Sequence, residues 1–195
     1  MKPNAYLLVF DGLADWEPAH AFCEISKSGK FEIVTVGFSR QGVTTMGGLK
    51  LQPDIAMHEV NPAGAAFFML PGGDMWLKNS FAELKELLRH LHERKVLIGA
   101  VCAATLEIAR AGLTRGVRHT SNSKAFLKAA VPEYNDDEFY VDDLAVTDEK
   151  IITASGLGSV ELAREVIREL KIYSPADTAL WFDMFKRGFM PVGTA

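Results

Sequence analysis

Apolar residues follow two rhythms along this chain. Short unbroken apolar runs, bounded by glycine, proline or aspartate, alternate with longer segments in which apolar residues recur every three or four positions. The first pattern is that of strands buried on both faces, and the second that of helices packing one stripe against a core. Strands are predicted at Tyr6 to Phe10, ended by Asp11-Gly12, at Phe31 to Val36, at Ala65 to Leu70, closed by Pro71-Gly72-Gly73, and at Lys95 to Val101. A further short strand is predicted at Val117 to Ser121. Helices are predicted at Pro18 to Ser28, stopped by Gly29, at Phe81 to Arg94, at Ala103 to Ala109 and at Ser123 to Ala130. Two more helices, Val160 to Lys171 and Pro175 to Lys186, close the chain.

Two segments break the alternation. Val43 to Leu51, interrupted by Gly47-Gly48, reads as a short hairpin outside the main sheet, and Leu144 to Ala154, turning at Asp148-Glu149-Lys150, reads as a second hairpin. Strands and helices in this order predict an α/β fold: a doubly wound, mostly parallel sheet with helices on both faces and an edge hairpin. No linker, low-complexity tract or repeat divides the chain, so one domain over residues 1–195 is expected. Such sheets carry their sites at the carboxyl ends of the strands, where Asp11, Gly72 and Cys102 fall.

Composition narrows the classes of function. The chain is 48% hydrophobic and 24% charged, with a formal net charge of -4. That balance builds an ample core and argues against nucleic acid as a partner. Neither a leader peptide nor a membrane span is read from the sequence, so a cytoplasmic protein with no membrane partner is expected. Cys23 and Cys102 are too few for a disulfide framework and stand in no metal-ligand spacing. No glycine-rich nucleotide loop follows the first strand, and no cofactor or metal is predicted.

Cys102 is the residue that asks for chemistry. It stands between Lys95 to Val101 and Ala103 to Ala109, where a strand feeds straight into a helix. The free amides and partial positive charge of a helix start favour a thiolate there. Gly99, Ala100, Ala103 and Ala104 leave room for a sharp turn. A small buried hydrophobe would suit the same strand end. Cys23, beside Phe22 and Ile25, reads as core, which leaves Cys102 as the thiol expected to react faster.

The strings Val9-Phe10-Asp11-Gly12-Leu13-Ala14-Asp15-Trp16-Glu17, Leu70-Pro71-Gly72-Gly73 and Gly99-Ala100-Val101-Cys102-Ala103-Ala104-Thr105 resemble the ThiJ/PfpI superfamily. The resemblance continues through Ala111-Gly112-Leu113 and Ile151 to Gly156, nearly the whole length. It implies a flavodoxin-like fold similar to class I glutamine amidotransferases, and a homodimer. It also implies Cys102 as nucleophile, Glu17 as its hydrogen-bonding partner and proton shuttle, and the backbone amides of Gly73 and Ala103 as an oxyanion site. A charged carboxyl would raise the thiol pKa, so the useful arrangement has Glu17 protonated and donating to the thiolate.

Many relatives carry a histidine either just after the cysteine or twenty residues beyond it; here those positions hold Ala103 and Asn122. Asn122 can orient a partner but cannot exchange a proton. No histidine-x-glutamate pair follows Ser155, which argues against glutamine amidotransferase activity, and the missing imidazole argues against protease activity. Thr105, Gly72 and Trp76 complete the supporting candidates; Trp76 either walls the pocket mouth or anchors the following helix. His119 is placed on the opposite strand face from Asn122, His20 lies one helical turn from Glu17, and His58, His90 and His92 lack ligand spacing. The acidic run from Glu133 to Asp143 reads as a solvated loop.

Two classes of function follow. One is an enzyme acting through Cys102 on a small electrophilic substrate, by hydrolysis, hydration or a glyoxalase-like rearrangement. The other is a redox-sensing or stress-response, chaperone-like protein using reversible oxidation of Cys102.

Overall fold

The computed structural model describes residues 2–188. A seven-stranded sheet is built from β1 (Asn4–Leu8), β2 (Glu32–Gly37), β5 (Ile55–Ala56), β6 (Ala65–Leu70), β7 (Leu97–Val101), β8 (Ala145–Asp148) and β9 (Ile151–Ala154). Its order is β5-β2-β1-β6-β7-β9-β8. All pairs are parallel except β8 with β9, the expected edge hairpin, which turns through positive φ at Glu149 and Lys150. The other expected hairpin forms a separate two-stranded sheet of β3 (Val43–Thr44) and β4 (Lys50–Leu51).

Alternation along the strands sorts the core into two layers. Tyr6, Leu8, Phe68, Leu70, Ile98 and Ala100 point to one face, where they meet α2 (Met75–Lys78), α3 (Ala82–Glu93) and α4 (Thr105–Arg110). Ala5, Phe67, Met69, Leu97 and Val101 point to the other, against α1 (Trp16–Ser28), α6 (Ser159–Glu169) and α7 (Pro175–Arg187). This is a doubly wound α/β sheet. Among the described residues no helix is long and apolar enough to cross a membrane.

Three departures from the sequence reading bear on the site. First, α1 starts at Trp16, two residues before Pro18, because a proline in the first turn removes only an N–H that has no helical acceptor. Glu17 therefore belongs to the helix. Second, Val117 to Ser121 is not a strand but makes a single bridge, His119 to Tyr140. Hydroxyls intercept the ladder there: Thr120 N–H donates to Thr153 Oγ1 at 2.8 Å, and Thr120 Oγ1 donates to the Asp143 carbonyl at 2.8 Å. Third, Cys23 is exposed rather than core, because it lies on the outward side of α1 while Phe22 and Ile25 turn inward. It lines a shallow apolar groove with Leu7, Pro18 and Ala19.

Candidate active site

β7 delivers Cys102 in the left-handed region, at φ 58, at the start of a 3-10 turn over Cys102–Ala104 that leads straight into α4. Such a conformation costs a non-glycine residue about 1–2 kcal/mol, so it persists only where neighbours hold it. Thr105 does so: its Oγ1 donates to the Cys102 carbonyl at 2.7 Å and accepts from the Ser121 hydroxyl at 2.6 Å. The turn points the thiol into a half-buried cleft.

Glu17 approaches from the first turn of α1 and is 1% exposed. Gly72 N–H donates to its Oε2, and the carboxyl hydrogen-bonds the Cys102 thiol. Burial raises the Glu17 pKa from 4.5 to about 7, against the opposing pull of those two hydrogen bonds. The thiol is pushed above its ordinary value by burial first, then by the Glu17 charge; Asn122 and the Ala103 N–H pull the other way. The expectation of a thiolate favoured by the helix start is thus corrected. Desolvation and a carboxylate outweigh two N–H donors.

Asn122 is brought to the site. Its Nδ2 donates to Cys102 Sγ at 3.3 Å, while its Oδ1 accepts from Gly156 N–H at 2.9 Å, which fixes which end of the amide faces sulfur. Gly156 was not singled out from the sequence. A Cβ there would sit 3.0 Å from Cys102 Sγ, so the loop after β9 forms one wall of the thiol cleft. Its position at the carboxyl end of the strand beside β7 was the available signal. Ser121 was missed as well.

Of the two loop glycines, Gly72 is the one at the reacting pair. A Cβ there would meet Cys102 Cβ at 2.7 Å and Glu17 Oε2 at 2.7 Å. Gly73 instead makes room for Phe10, whose ring carbon would lie 2.7 Å away. Ala103 is buried in the first turn after the thiol. Trp76 is fully buried, donates Nε1–H to the Pro71 carbonyl at 2.9 Å and packs edge-on against Phe10 at 5.2 Å. It anchors the loop from inside and does not wall a pocket mouth.

The histidines lie elsewhere. His119 is buried with Nδ1 on the Val117 carbonyl at 2.7 Å and Nε2 on Tyr134 OH at 2.7 Å; the carbonyl only accepts, so Nδ1 carries the proton and Tyr134 donates to Nε2. Burial holds that ring below its ordinary pKa. His20 faces the α7 aromatics, 5.1 Å from Phe185. Asp11 accepts from Thr44 N–H at 2.7 Å and fastens the β3–β4 hairpin to the loop before α1.

A strained cysteine after the fifth strand of the parallel array, a buried glutamate from the first helix and a glycine between them form one arrangement. The family model described as "DJ-1/PfpI family" matches residues 3–169. The chain belongs to the DJ-1/PfpI family. It is 31% identical over 190 residues to the Bacillus subtilis (strain 168) protein named Uncharacterized protease YoaZ, covering 94% of this chain and 90% of that one. It is 26% identical over 145 residues to the Caenorhabditis elegans Glutathione-independent glyoxalase DJR-1.2, covering 73% and 75%. The crystal structure of the thiJ/pfpI family protein from Bacillus anthracis superposes with a TM-score of 0.89 at 28% identity, covering 97% of this chain and 92% of that one.

Proposed function

We propose that this DJ-1/PfpI family member is a cysteine-dependent enzyme converting a small 2-oxoaldehyde and water to a 2-hydroxy acid. The observation that carries the reading is the buried Glu17 carboxyl, with a pKa of about 7, hydrogen-bonded to a thiol on a strained turn. A base works best when its pKa lies near the working pH, and here it can take the thiol proton at the moment of attack. The name of the Caenorhabditis elegans relative supports the substrate class.

Cys102 sulfur attacks the aldehyde carbon, forming a C–S bond as its proton passes to Glu17. The carbonyl π electrons move to oxygen, held by the Gly73 and Ala103 amides, and Glu17 returns the proton to that oxygen. Glu17 then carries a proton from the aldehyde carbon to the neighbouring carbonyl carbon, while the hydroxyl proton on the first oxygen passes to the second, giving a thioester of the 2-hydroxy acid. Water cleaves the C–S bond and releases the acid and the thiol. No step requires an imidazole, which suits Asn122 at this position. An amide substrate would add a departing amine to be protonated, and that weighs against the protease activity in the name of YoaZ. A thiol pushed above its ordinary value oxidises slowly at rest, which weighs against the redox-sensing reading.

The test is 2-hydroxy acid formation from methylglyoxal by the native protein, Cys102→Ser and Glu17→Gln. Turnover by the native protein alone supports the proposal. Equal turnover in all three, or none in any, rejects it.

A further inference from the structure

Among the described residues the exposed large apolar side chains are Trp16, Met46, Leu49, Leu77, Leu157 and Phe185. Leu157 is the most exposed, at 83%. It follows Gly156, whose missing Cβ would lie 3.0 Å from Cys102 Sγ, which places Leu157 one residue from the backbone beside the thiol. A single exposed leucine on a loose loop would carry no meaning. This one is on a tethered turn. Gly158 N–H donates to the Ser155 carbonyl at 2.8 Å, Leu157 N–H to Ser155 Oγ at 3.3 Å, and Gly156 N–H to Asn122 Oδ1 at 2.9 Å. A Cβ on Gly158 would lie 2.2 Å from the Leu144 carbonyl oxygen, so the turn is pressed against the chain entering β8. Trp16, the chain neighbour of Glu17, is also half-exposed, at 52%.

Charge points the same way. Among the described residues neither Glu17 nor Cys102 has a lysine or arginine partner: Gly72 N–H bonds the carboxyl and Asn122 Nδ2 the sulfur. A substrate carboxylate would meet repulsion and no partner.

We infer that Leu157 is a specificity-determining contact, and that the site selects neutral aldehydes carrying an apolar substituent over small or anionic ones. Resting on the reading of Cys102 and Glu17 as the reacting pair, it names the substrate class of that pair. The substituent covers Leu157 when the aldehyde carbon reaches sulfur, and apolar surface on both leaves water.

The experiment compares kcat/KM for phenylglyoxal, methylglyoxal and the anionic 2-oxoaldehyde 4,5-dioxopentanoate in the native protein, Leu157→Ser and Leu157→Met. Apolar contacts of this size discriminate by about tenfold or more. Phenylglyoxal is expected to exceed methylglyoxal by about that factor, with 4,5-dioxopentanoate lowest. Leu157→Ser should collapse the phenyl-to-methyl ratio toward one, and Leu157→Met should keep it. The variants should melt with the native protein, because the side chain is exposed. A phenyl-to-methyl ratio near one in the native protein, or one unmoved by Leu157→Ser, overturns the inference while the proposed activity stands. 4,5-Dioxopentanoate turned over as well as methylglyoxal overturns it too. No turnover of any aldehyde removes the activity and the inference together.

Discussion

Glu17 and Cys102 share a problem of charge. Each is desolvated, and ionising one raises the cost of ionising the other, so their protons leave in two steps that belong to the pair. The carboxyl, raised to about 7, is the first to go. Its folded pKa lies above the unfolded value, so its contribution to stability is fully present below about 4.5 and is lost as pH rises through about 7. Across that window the group should cost the native state about 3 kcal/mol. Glu17→Gln keeps an acceptor for Gly72 N–H and cannot ionise. Urea unfolding of both proteins from pH 4.5 to 8 should show a decline in the native protein that the variant lacks; parallel curves would contradict it. The identities of both residues were legible in the sequence. The sense of the thiol shift was not, because the helix start is visible as a pattern while burial depends on which chains close over the turn.

Two loops make the cleft, one after β6 and one after β9. Their glycines test it at the scale of the element. Gly72→Ala puts a methyl 2.7 Å from both Cys102 Cβ and Glu17 Oε2, and should destabilise the fold by about 1–3 kcal/mol while forcing the pair apart. Gly156→Ala meets Cys102 Sγ at 3.0 Å on a half-exposed turn, so it should lower turnover by about tenfold or more with a melting point near native. Calorimetry with an activity assay separates the two, and a fully active Gly72→Ala would mean that the loop is not at the reacting pair. The sequence placed Gly72 and Gly73 in the right loop; that Gly72 lies against the reacting pair and Gly73 over Phe10 depends on how that loop meets its neighbours, which no local pattern records. Regular strands and long helices were readable from periodicity. Val117 to Ser121 was misread because its hydroxyls take partners that no apolar pattern records.

Across the whole molecule, the site hangs from the interior of the sheet. β1, β6 and β7 are adjacent, are paired on both sides and lead into the segments that carry Glu17, Gly72 and Cys102. The β3–β4 hairpin is a separate two-stranded sheet, held to the α1 entry by contacts such as Gly47 N–H to Asp15 Oδ2 at 2.6 Å. Hydrogen exchange should therefore release β3, β4 and β5 first and β7 last, and a β7 that exchanged with the hairpin would contradict this placement. The alternation of strand and helix made the sheet predictable; the detached hairpin was visible through Gly47-Gly48, but its seat on Asp11 and Asp15 was not. The central claim is that the Glu17 charge bears directly on the Cys102 thiol. Thiolate absorbance against pH, in the native protein and in Glu17→Gln with Cys23 replaced by serine in both, tests it most directly. The account predicts that removing the charge moves the Cys102 titration to lower pH; identical titrations in the two proteins would contradict it.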